Sequence, residues 1–286
     1  MKRYFLSVFF FFSSFLYANV NAIVSILPEK IFLQEIGGDL VHISLMVNPG
    51  DSPHSYEPKP SQMREIENAQ VYFSIGVEFE EVWLEKFQNQ NKSLLFVDVS
   101  KNIQKIEIAH HSHTHEKHHD TNQEDESHDP HVWTSPKNIK IIAHEMLQTL
   151  IKLDSKNQAI YEKNYQAFIQ KIDTLDLHVR DILKDVPKET KFMVFHPSWG
   201  YFAKEYNLMQ FPIEVEGKEP KPKELMYILK EAKEENVKAI FTQPEFSDKS
   251  AKIIANELKI KVIKVSPLSI QWEENLVNIA KAIANR

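Results

Sequence analysis

The stripe Tyr161, Tyr165, Phe168, Ile172, Leu175, Val179 and Ile182 constrains the fold of this chain more than any other feature. Steps of four and three keep all seven side chains on one side of a helix. No proline or glycine interrupts the run before Pro187, so the pattern predicts a helix of about 30 residues beginning near Asp154 or Ser155. Ser135-Pro136 opens another helix, expected from about 136 to 152, with a hydroxyl N-cap and a proline at the first helical position. Both helices lie mid-chain, glycine is scarce, and nothing flanking them resembles a flexible linker. They read as a rigid brace between two lobes. An ordinary core helix fits the same stripe, but length and central position favour the brace.

On either side of the brace, short apolar runs alternate with amphipathic segments. Strands are predicted at Ile23 to Leu27, Val41 to Val47, Val71 to Ile75, Leu94 to Val99, Lys191 to Phe195, Ala239 to Thr242 and Val262 to Val265. Helical patterns fall around 30–37, 62–69, 79–89, 222–235 and 249–258. This alternation predicts an α/β chain with two Rossmann-like lobes, each built on a parallel sheet. The expected division is an N-terminal lobe over 19–135, interlobe helices over 136–187 and a C-terminal lobe over 188–286.

The first 18 residues read as a secretory leader. Lys2 and Arg3 precede an apolar run from Tyr4 to Phe12, and Leu16-Tyr17-Ala18 ends in a small residue suited to cleavage. A membrane anchor is the competing reading, but a spanning helix needs about 20 apolar residues. Ser13 and Ser14 break this run. Cysteine is absent, so disulfides, thiolate ligands and a lipidated cysteine are all excluded. The reading is therefore a periplasmic protein held together by its apolar core. A net charge of −6 gives no support for a nucleic-acid partner and suits small cations better. Residues 110–130, HHSHTHEKHHDTNQEDESHDP, mix histidine with acids, contain no apolar core residue and are expected to form a disordered loop.

Histidine is the commonest metal ligand but has duller uses. His42 points away from the buried face of its strand, and His144 and His178 share polar helix faces with lysines. These three read as surface residues. His54 lies in the turn-rich loop Asn48-Pro-Gly-Asp-Ser-Pro-His54, His131 in Asp129-Pro-His-Val-Trp133, and His196 follows the strand Lys191 to Phe195 and precedes Pro197. Taken singly, each could be a loop histidine bonded to backbone. Ligands of open α/β sheets bind beyond the carboxyl ends of strands, where His54 and His196 fall, one in each lobe. A shared site in the cleft between the lobes is the expectation.

Four segments in order, NPGDSPHSYEPKPSQ, DPHVWTSPKN, VFHPSWGYFAKEYNL and EVEGKEPKPKEL, resemble the cluster A-I solute-binding proteins, the periplasmic components of zinc and manganese ABC importers. The likeness covers nearly all of the chain beyond the leader. It implies two α/β lobes joined by a long helix, a metal between them, and ligand roles for His54, His131 and His196. A fourth, acidic ligand in the family often opens a D-P-L sequence, but here the stretch is Val265-Ser266-Pro267-Leu268. Water or a carboxylate such as Glu214, Glu216 or Glu245 is left to fill that place, with Glu245 preferred.

Three imidazoles without an assured carboxylate favour zinc over manganese, which prefers more oxygen ligands, while the choice over copper rests on the resemblance. The expectation is thus a zinc carrier that delivers Zn2+ to an inner-membrane ABC permease, with the chain itself monomeric. His110, His111, His113, His115, His118, His119 and His128 form a looser second pool of ligands. Rival readings are a manganese or iron carrier, a three-histidine zinc hydrolase or hydratase, and an adhesin. No H-E-x-x-H occurs to support the hydrolase.

Overall fold

Valine, isoleucine and phenylalanine runs, too short for helices and flanked by turn residues, pair into two sheets of four parallel strands each. A computed structural model gives the structure and describes residues 20–109, 128–215 and 217–285. The expected leader, His110 to His119 of the second ligand pool and Glu216 lie outside the described residues. In the first sheet β1 (Val20–Val24), β2 (Val41–Leu45), β3 (Val71–Ser74) and β4 (Leu95–Asp98) take the order β2-β1-β3-β4. In the second, β5 (Thr190–Val194), β6 (Leu208–Pro212), β7 (Ile240–Thr242) and β8 (Val262–Lys264) repeat that order as β6-β5-β7-β8. Each sheet therefore has a switch point beside its first strand, where loops leave in opposite directions and open a crevice.

Helices α1 (Leu27–Gly37), α2 (Pro60–Asn68) and α3 (Glu78–Gln90) belong to the first lobe. The brace follows as α4 (Pro136–Leu153) and α5 (Gln158–Leu183). Ser135 caps α4 by accepting the Asn138 N–H, as its sequence signature predicts. A 3-10 turn at Ser155–Asn157 runs directly into the 26 residues of α5. Its stripe of Tyr161, Phe168, Ile172, Leu175, Val179 and Ile182 is buried. The second lobe carries α6 (Gly200–Glu205), α7 (Pro222–Glu234), α8 (Lys249–Leu258) and α9 (Trp272–Ile283).

The brace is also core, so the two readings of the stripe coincide. One apolar cluster runs from the first sheet across α5 to Trp272, Leu276 and Ile279 of α9. At its centre the Phe32 ring meets Phe168 at 5.8 Å and, edge-on, Trp272 at 5.4 Å. Lys171 of α5 adds ion pairs to Glu35 and Glu273, but these are exposed and contribute little beside the aromatic burial. A second, smaller core lies between the outer face of the second sheet and α7 and α8.

Four readings need correction, among them the short α6, which was not anticipated. The first strand is Val20–Val24 and not Ile23 to Leu27, because Pro28 sits in the first turn of α1 and presets helical φ there. Strand β6 was not anticipated, since its run is interrupted by Gln210 and ends in Pro212, which suits the edge of a sheet. Helix α9 was also missed, although Trp272, Leu276, Ile279 and Ile283 step by four, three and four. His42, His144 and His178 are exposed, as their faces predicted.

Candidate metal centre

The three singled-out histidines arrive at one point from three separate parts of the chain. His54 rides the loop after β2, where Gly50 takes a positive φ of 91° and the Ser52 hydroxyl accepts the His54 N–H. His131 starts the 3-10 turn Val132–Thr134 that leads into α4. His196 stands just past β5, with its backbone N–H and C=O both held by the Gln243 amide, at 3.3 and 2.7 Å. The ring centroids lie 4.7 Å apart for His54 and His196, 5.2 Å for His131 and His196, and 5.9 Å for His54 and His131. One ligating nitrogen from each falls within 4.8 Å of the others.

Each ring is oriented from behind by a carboxylate. Glu78 contacts Nδ1 of His54, Asp129 that of His131 and Glu214 that of His196, each at 2.8 Å. A carboxylate accepts only, so each Nδ1 donates and each Nε2 keeps its lone pair for the centre. The Nε2 of His196 is buried and has no hydrogen-bond partner, as an atom awaiting an ion would be. Two nitrogens of a tetrahedral zinc at 2.0–2.1 Å stand roughly 3.3 Å apart. Closing from 4.8 Å to that spacing takes about 1.5 Å at most. The donor set fits such an ion.

Charge supports the same chemistry. Burial alone would lower the His54 pKa, but the Glu78 hydrogen bond and charge outweigh it and hold His54 above its ordinary value. Burial lowers His196, and the neighbouring His131 and His54 push it the same way, against the opposing pull of Glu214. His196 is thus kept neutral and ready to ligate. Glu78 in turn sits below the usual carboxylate range: burial would raise it, and His54 more than reverses that. Three carboxylates behind three imidazoles give an anionic site that attracts a divalent cation.

The surrounding cavity measures about 20 Å3 and has an apolar collar of Pro53, Trp133, Phe246, Pro267 and Leu268. Glu245 also lines it, but its Oε1 accepts from the Ser266 hydroxyl at 3.2 Å and it stands outside the three-histidine cluster. Glu214, considered from sequence as a fourth ligand, instead holds His196. His128, from the second ligand pool, is exposed and bridges to Glu107 by backbone. Sequence reasoning missed the orienting carboxylates. Asp129 had a local signal, two residues before His131 and also bonded to its N–H, whereas Glu78 had none.

The chain's likeness to known proteins agrees with this geometry. A family model described as "Zinc-uptake complex component A periplasmic" matches residues 23–285. The chain is 32% identical to the high-affinity zinc uptake system protein ZnuA of Bacillus subtilis, over 85% of this chain and 76% of that one. It is 27% identical to a manganese ABC transporter substrate-binding lipoprotein of Streptococcus gordonii, over 85% and 77%. A crystal structure of ZnuA superposes with a TM-score of 0.83 at 39% identity, over 93% of this chain and 98% of that one. Among the described residues no helix is long and apolar enough to cross a membrane. The chain belongs to the ZnuA family, the metal-binding solute-binding components of ABC metal-uptake systems, which are carriers and not enzymes.

Proposed function

We propose that this chain captures Zn2+ through the Nε2 atoms of His54, His131 and His196 and delivers it to an inner-membrane ABC permease. The observation that carries the reading is the trio of imidazoles whose Nδ1 atoms are all held by carboxylates, leaving three convergent lone pairs. Zinc accepts four-coordinate sites rich in imidazole nitrogen, and one water or Glu245 completes the set. Ser266, in the place of the family's aspartate, holds Glu245 by a hydrogen bond that an arriving ion can compete for.

His131 and His196 are buried while His54 remains partly open, so the ion enters past His54 and engages it last. Capture draws the rings together, and the aromatic junction of Phe32, Phe168 and Trp272 restricts the accompanying motion to small shifts. A cavity with room for little more than an ion suits a carrier better than a hydrolase, which needs space for a substrate. Export through the leader at 1–18, a periplasmic home and a monomeric state complete the proposal. The histidines at 110–128 would form a second, lower-affinity pool of zinc ligands.

Calorimetric titration of His54→Ala, His131→Ala and His196→Ala proteins tests the site. Each is expected to lose the tight zinc isotherm; tight binding retained in all three would refute the assignment. Deleting 110–128 should lower total stoichiometry and leave the tight site. The manganese relative keeps a manganese carrier as the second reading, and competition between the two ions in the same titration separates them.

A further inference from the structure

The loop from Gln243 to Phe246, which follows β7, approaches His196 from three sides. Gln243 holds its backbone, as described above, and Glu245 stands on the cavity wall. Phe246 lays its ring on the His196 ring, with centroids 4.9 Å apart and planes 24° from parallel. Trp133, Pro267 and Leu268 add further apolar wall. The Trp133 indole N–H donates to the Pro267 carbonyl at 2.8 Å, which pins Pro267 and Leu268 beside the histidines.

Volume then decides how many ligands an ion can keep. A water needs about 10–15 Å3 of such a cavity, so three waters need roughly 30–45 Å3. The cavity offers about 20 Å3 in all, part of which the ion itself takes, so three waters do not fit. Manganese favours oxygen-rich octahedral sites, and on three imidazoles it would need three more ligands. Zinc needs one. Glu245 can supply a single oxygen; Ser52 and Ser198, which also line the cavity, already accept from the His54 N–H and the Gln243 amide, and the apolar collar supplies none.

We infer that Phe246 is a specificity-determining residue: stacked on His196, it fills the space that extra water ligands would occupy and so favours four-coordinate zinc over six-coordinate manganese. The inference rests on the zinc reading of the three-histidine site. It adds that selectivity comes from an apolar wall as well as from the donor atoms. Removing the ring opens room for water, while a leucine keeps most of the wall.

The test measures zinc and manganese affinities of the wild type, Phe246→Ala and Phe246→Leu, together with the visible absorption of each protein loaded with one equivalent of Co2+. The wild type should give the intense absorption of four-coordinate cobalt. Phe246→Ala should lose most of that intensity and shift the zinc-to-manganese affinity ratio toward manganese by about tenfold. Phe246→Leu should stay near the wild type. An unchanged ratio and spectrum in Phe246→Ala would overturn the inference, and so would a weak, six-coordinate cobalt spectrum in the wild type, which needs no variant to fold. Should His54→Ala leave wild-type zinc binding intact, the three-histidine reading itself fails; His54-dependent binding with no effect at Phe246 sinks only the inference.

Discussion

Gly200 is not itself a metal ligand, yet replacing it with alanine should weaken zinc binding through Asp129 and His131. A Cβ built at Gly200 would lie 2.3 Å from Asp129 Oδ2, with the Gln210 amide at 3.0 Å and Ile106 at 3.1 Å closing the alternatives. Asp129 is fully buried, so its carboxylate cannot swing into solvent. Its backbone is fixed as well, by its N–H to the Ile106 carbonyl at 2.8 Å and by the Tyr201 hydroxyl to its own carbonyl at 3.0 Å. Displacement therefore falls on the bond from His131 Nδ1 to Oδ1, now 2.8 Å. Relieving the clash takes roughly an ångström, which stretches that bond past hydrogen-bonding range. Loss of such an orienting partner typically costs about 10–100-fold in metal affinity, or about 1.4–2.7 kcal/mol. Overpacking should also lower stability by about 1–3 kcal/mol.

The assay is a competition titration against a chromophoric chelator, run on protein lacking 110–128 so that only the tight site reports. Asp129→Asn is the companion variant: it keeps the volume and weakens the acceptor, and it should match the affinity loss with a smaller fall in Tm. If Gly200→Ala bound zinc within about twofold of the wild type, the chain from Gly200 through Asp129 to His131 would not be rigid. The reasoning would then be wrong.

Three further outcomes are expected. His54 is held above its ordinary value, and its protonated form competes with the ion, so zinc affinity should already be falling as pH drops through values above 6.5. Glu78→Gln should move that onset to lower pH, as read by titration at a series of pH values. Saturating zinc at about 1,000 times Kd should stabilise the fold by about 4.1 kcal/mol. Calorimetry should show this as a rise in Tm of roughly 8–16 °C that a chelator reverses. Trp272→Ala should cost about 3–5 kcal/mol by emptying the junction between the lobes, measured by urea denaturation, while a near-neutral result would mean that α9 does not brace them.

The architecture was readable where periodicity was strong and uninterrupted. The α5 stripe, the Ser135-Pro136 start and seven apolar runs carried the two-lobe plan because each is a local pattern that burial reinforces. Strand β6 escaped because an edge position tolerates Gln210 and Pro212, so local composition says little. The three histidines could be isolated by elimination, since His42, His144 and His178 dissolve into polar faces. The carboxylates behind them could not all be found. Glu78 meets His54 across 24 residues and Glu214 meets His196 across 18, pairings that only the return of the chain to one crevice creates. Ser266 was visible as a departure from the family's pattern, but its bond to Glu245 depends on two loops of the second sheet lying side by side.

X-ray absorption at the zinc edge, on protein given one equivalent of the metal, tests the central claim most directly. The account predicts three imidazole nitrogens at about 2.0–2.1 Å and a single oxygen. A first shell with fewer than three imidazoles, or a six-coordinate shell dominated by oxygen, would contradict it.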